Sequence, residues 1–479
     1  MQENKMGVMP VGRLIINMAW PAIISMLVQA MYNIVDSFFV SRLGEAALAA
    51  ITYIFPIHMV LISVAVGTGV GINSLISRRL GARRFEDADL AACHGYRLSF
   101  INWIFFFLVG LFLSKPLISI MTETEYIVSE GSKYLMIVLM GSLFILVQIS
   151  TEKILQATGN MILPMLCTIT GAVINVILDP VLIFGLGPFP EMGITGAAVA
   201  TVFGQLCSMV LGQIMLFKFN DKIHVRLRGW KWQGSIVRDI YAVGAPAILM
   251  QCIGSVLQFG MNMILAHFTE TAVAVMGVYG RLQSFIFMPV FGLNQGVLPV
   301  LGYNYGARNK ARLLDAYKKG FAIAFSIMLV GLIVFQLFPH QLLSAFNAQG
   351  NQDIYDIGVP AFRAISWCFL PASYGIMTSA VFQATGHGFL SLWSSLIRQL
   401  VGVLPLAILL GYYFGLHMVW FSFPMAEVLG TAYLVIAFII LYKKELKHLS
   451  DPIEEGTYAD QRPDIPTEDH AEFHEEPKH

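Results

Sequence analysis

Charge is what this sequence most lacks: Asp, Glu, Lys and Arg together make up 13% of its 479 residues. A soluble chain carries about 25%, because its surface has to be solvated. Hydrophobic residues make up 56% and the mean hydropathy is +0.68. These values argue against a soluble enzyme, a disordered scaffold and a nucleic-acid binder, and leave a polytopic membrane protein. Cysteine is also sparse. Cys93, Cys167, Cys207, Cys252 and Cys368 lie in apolar segments without CxxC spacing, so they read as small buried residues and not as a disulfide framework or metal site. No G-x-x-x-x-G-K-[ST] loop and no Gly-Lys dipeptide occurs, so ATP hydrolysis is not expected and an ion gradient is the default energy source. The run Gly67-Thr68-Gly69-Val70-Gly71 lies in an apolar stretch and reads as a helix-packing face. An H-E-x-x-H zinc motif is absent too, and the chain does not read as an enzyme.

What is present is hydrophobic length. A membrane-crossing helix needs about 20 predominantly apolar residues. Twelve segments qualify, at approximately 14–40, 46–76, 90–114, 126–150, 160–185, 193–217, 240–268, 270–301, 319–339, 354–380, 387–412 and 416–442. The first is too long, and too poorly followed by a cleavage site, for a secretory signal. With the amino terminus inside, the cytoplasmic segments collect Lys5, Arg13, Arg78, Arg79, Arg83, Arg84, Lys153, the basic residues of 218–239 and 308–319, and Lys443, Lys444 and Lys447. The opposite loops carry Arg42 and Lys115. That bias predicts twelve spans in the cytoplasmic membrane with both termini cytoplasmic. The formal net charge of zero conceals a segregation: residues 1–449 carry +8 and residues 450–479 carry −8. The last segment has almost no aliphatic content and reads as a disordered acidic tail, its three histidines lacking any helical spacing.

Internal repetition organises the rest. Trp20-Pro21-Ala22-Ile23 resembles Ala245-Pro246-Ala247-Ile248, an offset of 225. Gly81-Ala82-Arg83 returns as Gly306-Ala307-Arg308, Gly95 as Gly320 and Pro180 as Pro405 at the same offset. Gln156-Ala157-Thr158-Gly159 returns as Gln383-Ala384-Thr385-Gly386, offset by 227. Six spans per repeat is an even number, so both halves enter the membrane with the same polarity. The expected architecture is all-α, with two pseudo-symmetric six-helix lobes around a central cleft. The boundaries read as 1–217 for the first lobe, 218–239 for a cytoplasmic linker, 240–449 for the second lobe and 450–479 for the tail. Alternate opening of such a cleft is the mechanism of a secondary transporter.

Ionisable groups inside a membrane are costly and mark pathways or coupling sites. Asp36, Asp179 and Glu427 fall deep in spans, as do Arg281, Arg363 and Arg398. Asp36 and Asp179 both sit in the outer half of the first lobe, with Tyr32 and Asn175 one turn away on the same faces. At the repeat offset, Asp36 corresponds to Met261, Asp179 to Leu404 and Asn175 to Leu400, so the fold itself does not demand the acids. Two carboxylates in a low-dielectric pocket repel, which lets one of them hold and exchange a proton. With Asn175 they equally offer hard oxygen ligands to a monovalent cation such as Na+. Gln29, Tyr32 and Asn33 on the first helix are candidate substrate-cavity residues, together with Arg398 and Glu427, which also read as a buried ion pair. Pro21, Pro180 and Pro246 are candidate hinges, because each removes a backbone donor.

As a set, Trp20-Pro21, Asp36 before Arg42-Leu43-Gly44, the two Gly-Ala-Arg loops, Gln156-Ala157-Thr158-Gly159, Asn175 to Pro180 and Gly196-Ala197-Ala198-Val199-Ala200-Thr201 resemble the multidrug and toxic compound extrusion (MATE) family. The similarity spans about residues 10–445 and leans to the prokaryotic DinF- and MepA-like branch, which keeps its coupling site in the first lobe. The resemblance implies a proton or cation site at Asp36, Asn175, Asp179 and Thr201, helix 1 bending at Pro21, and exchange of organic, often cationic, drugs for H+ or Na+. It implies no cofactor beyond the coupling ion, and as partners amphipathic drugs and the lipid bilayer, with no nucleic acid; a monomer is expected. Other branches carry acids in helices 7 and 10; here helix 7 offers Gln258 and helix 10 no membrane acid. The alternative within the same superfamily is a flippase for lipids or lipid-linked precursors.

Overall fold

The computed structural model describes residues 4–225, 232–346 and 351–449. The tail at 450–479 and the linker residues Arg226, Arg228 and Lys231 lie outside the described residues. Helix follows helix, with no strand among the described residues. Ten helices are long and apolar enough to cross a bilayer, and two bent pairs bring the spans to 12. In the first half these are α1 (Val11–Ser41), α2 (Glu45–Gly81), α3 (Phe85–Met121), α4 (Glu125–Met140 with Ser142–Ala157), α5 (Ile162–Ile183) and α6 (Gly193–Phe219). The second half repeats the order with α7 (Gly234–Ala266), α8 (Glu270–Gly306), α9 (Lys310–Leu337), α10 (Gln352–Ser366 with Phe369–Ala384), α11 (Gly388–Phe414) and α12 (Leu416–His448).

Hydropathy predicted α4 and α10 as single spans, but they bend by 43° and 45°. The α4 break falls at Gly141, where a Cβ would meet Val202 Cγ1 at 2.6 Å; the missing side chain lets α6 press into the bend. A second departure is the π-helical stretch Leu396–Val403 inside α11, a local widening that frequently accompanies functional positions. The repeated loops share backbone geometry as well as sequence. Arg83 and Arg308 take left-handed φ values of 56° and 55°, and Gly159 and Gly386 take 90° and 93°.

The seam between the halves is built twice over. A Cβ on Gly67 would lie 2.7 Å from Ile248 N, and one on Gly292 would lie 2.8 Å from Ile23 Cα. These two contacts are equivalents at the offset of 225. Gly71 abuts the Ile240 carbonyl, and its counterpart Gly296 lies against Met18 and Ala19. Gly81 meets the Tyr303 carbonyl while Gly306 meets the Arg78 carbonyl. The glycine run of α2 is therefore a packing face that brings backbones together, which any side chain would prevent. Polar groups finish the closure: Ser74 Oγ donates to Gln383 O at 2.5 Å and Arg79 reaches Asp239 at 3.4 Å.

Both described termini lie at this sealed end. Arg312 donates to the carbonyls of Met6 and Met9 at 3.1 and 2.7 Å, and Tyr305 donates to Glu445 at 2.8 Å. Helix α1 is shared between the lobes. Leu14, Ile15, Met18 and Ala22, near its start, join the buried core of the second lobe, whereas its far half runs along α5 and carries Gln29, Tyr32 and Asp36.

Candidate functional site

The site begins with two glycines. A Cβ on Gly204 of α6 would lie 2.8 Å from Gly171 O of α5, and Ser208 Oγ donates to Cys167 O at 2.7 Å. That close approach places Asn175 against Thr201. With its amide oriented to satisfy its neighbours, Asn175 donates to Asp179 Oδ2 at 2.8 Å and accepts from Thr201 N at 3.1 Å and Oγ1 at 3.2 Å. Asp179 is fully buried, and Asn175 and Thr201 nearly so. From α1, the Asp36 carboxyl stands beside that of Asp179. A direct bond between the two would require a shared proton, since two carboxylates have no donor. Tyr32 and Tyr134 stand beside Thr201.

Four helices thus converge on one polar nest, and the structure brings Asp36, Asn175, Asp179 and Thr201 into it as a group. Asp36 Oδ1 and Asp179 Oδ1 are buried without a hydrogen-bond partner. Unmatched buried oxygens are costly, and a proton or a monovalent cation would satisfy them. The donor set fits a hard cation: two carboxylates with amide and hydroxyl oxygens close by.

Beside the nest lies an open pocket of about 80 Å³, lined among others by Gln29, Tyr32, Gln148, Thr168, Asn175 and Gln205. Gln29 and Tyr32 face it as cavity candidates; Asn33 is exposed and not among the lining residues. The three prolines lie within helices that continue past them, Pro180 directly after Asp179.

Arg398 and Glu427 stay in the second lobe, away from the nest. Arg398, on the π-helical turn, pairs with Glu427 at 3.2 Å, and the Glu427 side chain is almost buried. The positions equivalent to the acids of the first lobe are apolar and packed: Met261 is fully buried, and Leu404 Cδ2 covers Gly260 at 2.8 Å from where a Cβ would stand.

Sequence reasoning overlooked two residues and misplaced a third. Tyr134 gives no local sign of belonging to the nest, because its proximity comes from the crossing of α4 and α6. Glu152 lies within α4 and accepts from Gln148 at 3.1 Å and Thr168 at 3.3 Å. Lys153 is a correction. It was counted with the basic loop residues because the apolar run ends near 150, but α4 continues to Ala157 and buries it. Its ammonium donates to Gln156 at 3.0 Å and, across the seam, to Gln295 at 2.8 Å.

The MatE family model matches this chain twice, over residues 21–181 and 246–409, and the two matches begin at the spacing of the internal repeat. The chain belongs to the MATE family. It is similar to an FAD transporter of Shewanella oneidensis, 29% identical over 434 residues that cover 88% of this chain and 92% of that one. It is also similar to the multidrug export protein MepA of Staphylococcus aureus, 25% identical over 434 residues, covering 90% and 94%. Among solved structures, a multidrug resistance MATE family transporter of the MOP superfamily in an outward-facing conformation superposes with a TM-score of 0.86. It is 29% identical and covers 94% of this chain and 99% of that one. These MATE relatives are transporters, not enzymes, and this chain is a multi-pass membrane protein with the MATE architecture of 12 helices in two lobes.

Proposed function

We propose that this MATE protein is a secondary active multidrug exporter that exchanges amphipathic organic cations for protons or sodium ions by alternating access, acting as a monomer in the cytoplasmic membrane. The observation that carries this reading is the juxtaposed Asp36–Asp179 carboxyl pair, with Asn175 and Thr201 bonded around Asp179 beside an open pocket in one lobe. Asp36 belongs to α1 and Asp179 to α5, so a proton or cation between them ties the far half of α1 to the first lobe. Occupancy of that bond then sets how α1 lies beyond Pro21, and with it the volume left for substrate. The sealed end that gathers the termini is the cytoplasmic one in this reading, and the first-lobe pocket faces outward. One elementary charge moving down 100 mV supplies about 2.3 kcal/mol, roughly a fifty-fold ratio for a neutral solute.

The test is ethidium efflux from proteoliposomes with proton and sodium gradients imposed separately. Asp36→Asn should abolish gradient-driven efflux at normal expression; unimpaired efflux in that variant sinks the assignment. A second reading, export of a flavin nucleotide, is favoured by the similarity to an FAD transporter. Retention of FAD by loaded vesicles that do release ethidium decides against it.

A further inference from the structure

The coupling pair is accompanied by a further acid next to the pocket. Glu152 sits where α4 faces α5, and its two described bonds, from Gln148 Nε2 and Thr168 Oγ1, both fall on Oε1. Gln148 and Thr168 are themselves pocket-lining residues, so the Glu152 carboxyl is held against the pocket wall by two of its lining side chains. No salt bridge to Glu152 occurs among the described residues. The nearest cation in sequence, Lys153, projects about 100° away around the helix. It spends its hydrogen bonds on Gln156 and on Gln295 of the other lobe.

Thr168 and Asp179 lie on the same helix, separated by about 16 Å at 1.5 Å per residue. Acids therefore adjoin the pocket wall at two places: the Asp36–Asp179 pair beside Asn175, and Glu152 behind Gln148 and Thr168. Between them run amide and tyrosine side chains (Gln29, Tyr32 and Gln205) and the small residues Gly171 and Ala172.

We infer that Glu152 is the substrate-recognising acid of this pocket, selecting organic compounds with a fixed or protonated cationic group, while the coupling ion occupies the Asp36–Asp179 pair. The assignment rests on the exporter reading above and adds to it which residue reads the substrate's charge. Substrate and coupling ion then occupy separate positions, and their competition runs through the position of α1, not through a shared oxygen.

The experiment is calorimetric binding to purified full-length protein of two probes of similar shape. One is the tetraphenylphosphonium cation; the other is uncharged triphenylphosphine oxide. Glu152→Gln should weaken tetraphenylphosphonium by about tenfold or more, the loss of one charge-assisted contact, and leave the uncharged probe within twofold. Glu152→Asp should recover part of the cation affinity, and Glu130→Gln, an acid of the same span beside Lys133, should bind as the unaltered protein does. Unchanged cation affinity in Glu152→Gln overturns the inference, as does an equal loss for both probes. If the unaltered protein neither binds nor exports any organic cation, the exporter reading fails instead.

Discussion

Lys153 and Glu427 are both charges that a bilayer would reject, and each is tolerated because its partners are protein. Glu427 keeps Arg398 at 3.2 Å, and removing either partner alone leaves a charge desolvated and unmatched. Arg398→Gln or Glu427→Gln alone should destabilise by up to about 3 kcal/mol, less than for a wholly enclosed pair because the Arg398 side chain is partly exposed. The double substitution should cost less than the two singles together. Thermal melts of the four proteins measure this, and additive losses contradict a simple ion pair. At this scale the sequence was informative where cost was visible: Asp36, Asn175 and Asp179 stand out as polar residues in apolar runs, and their repeat equivalents are apolar. Tyr134 and Glu152 did not stand out. A tyrosine costs little in a span, and the Glu152-Lys153 dipeptide looks like the edge of a loop until the helix is seen to extend beyond it.

Among the elements, the glycine seam has the sharpest consequence. Gly71 and Gly296 press on backbone, not on side chains that can rotate aside, so a larger residue there cannot be absorbed locally. Gly71→Leu should hold the terminal end open, lowering efflux about tenfold or more, the effect of 1.4 kcal/mol, while the protein still purifies normally. A cysteine introduced by Ser74→Cys, whose serine now bonds Gln383 across the seam, should then react faster with a water-soluble maleimide. An unchanged labelling rate counts against the seam as the closure. The repeat offset was legible from short motifs, and the glycine run was read as a packing face. The bends of α4 and α10 and the π-helical turn of α11 were not, since hydropathy reports length and composition and is blind to where hydrogen bonding shifts register. Gly141 shows this well: its reason for being glycine is Val202, far away in sequence.

For the molecule as a whole, a net charge of zero is the sum of segregated parts: basic turns gathered at the sealed end, an acidic segment at 450–479, and a few charges enclosed between helices. The acidic segment holds almost no aliphatic residues, so transport should not depend on it. Deleting 450–479 should leave ethidium efflux within about twofold, a change of under 0.5 kcal/mol, and a truncated protein that inserts normally but does not transport refutes that view. The lobes share their helical plan and the seam that joins them, yet one encloses a carboxyl pair and the other an arginine–glutamate pair. The seam is constrained from both sides, because each of these glycines answers to a backbone in the opposite half, whereas each of the two acid-bearing pairs is built within its own lobe. The protein is consequently modular in a particular way: a lobe can drift toward new ligands, or be exchanged for a relative's, so long as it presents the same bare stripe to its twin.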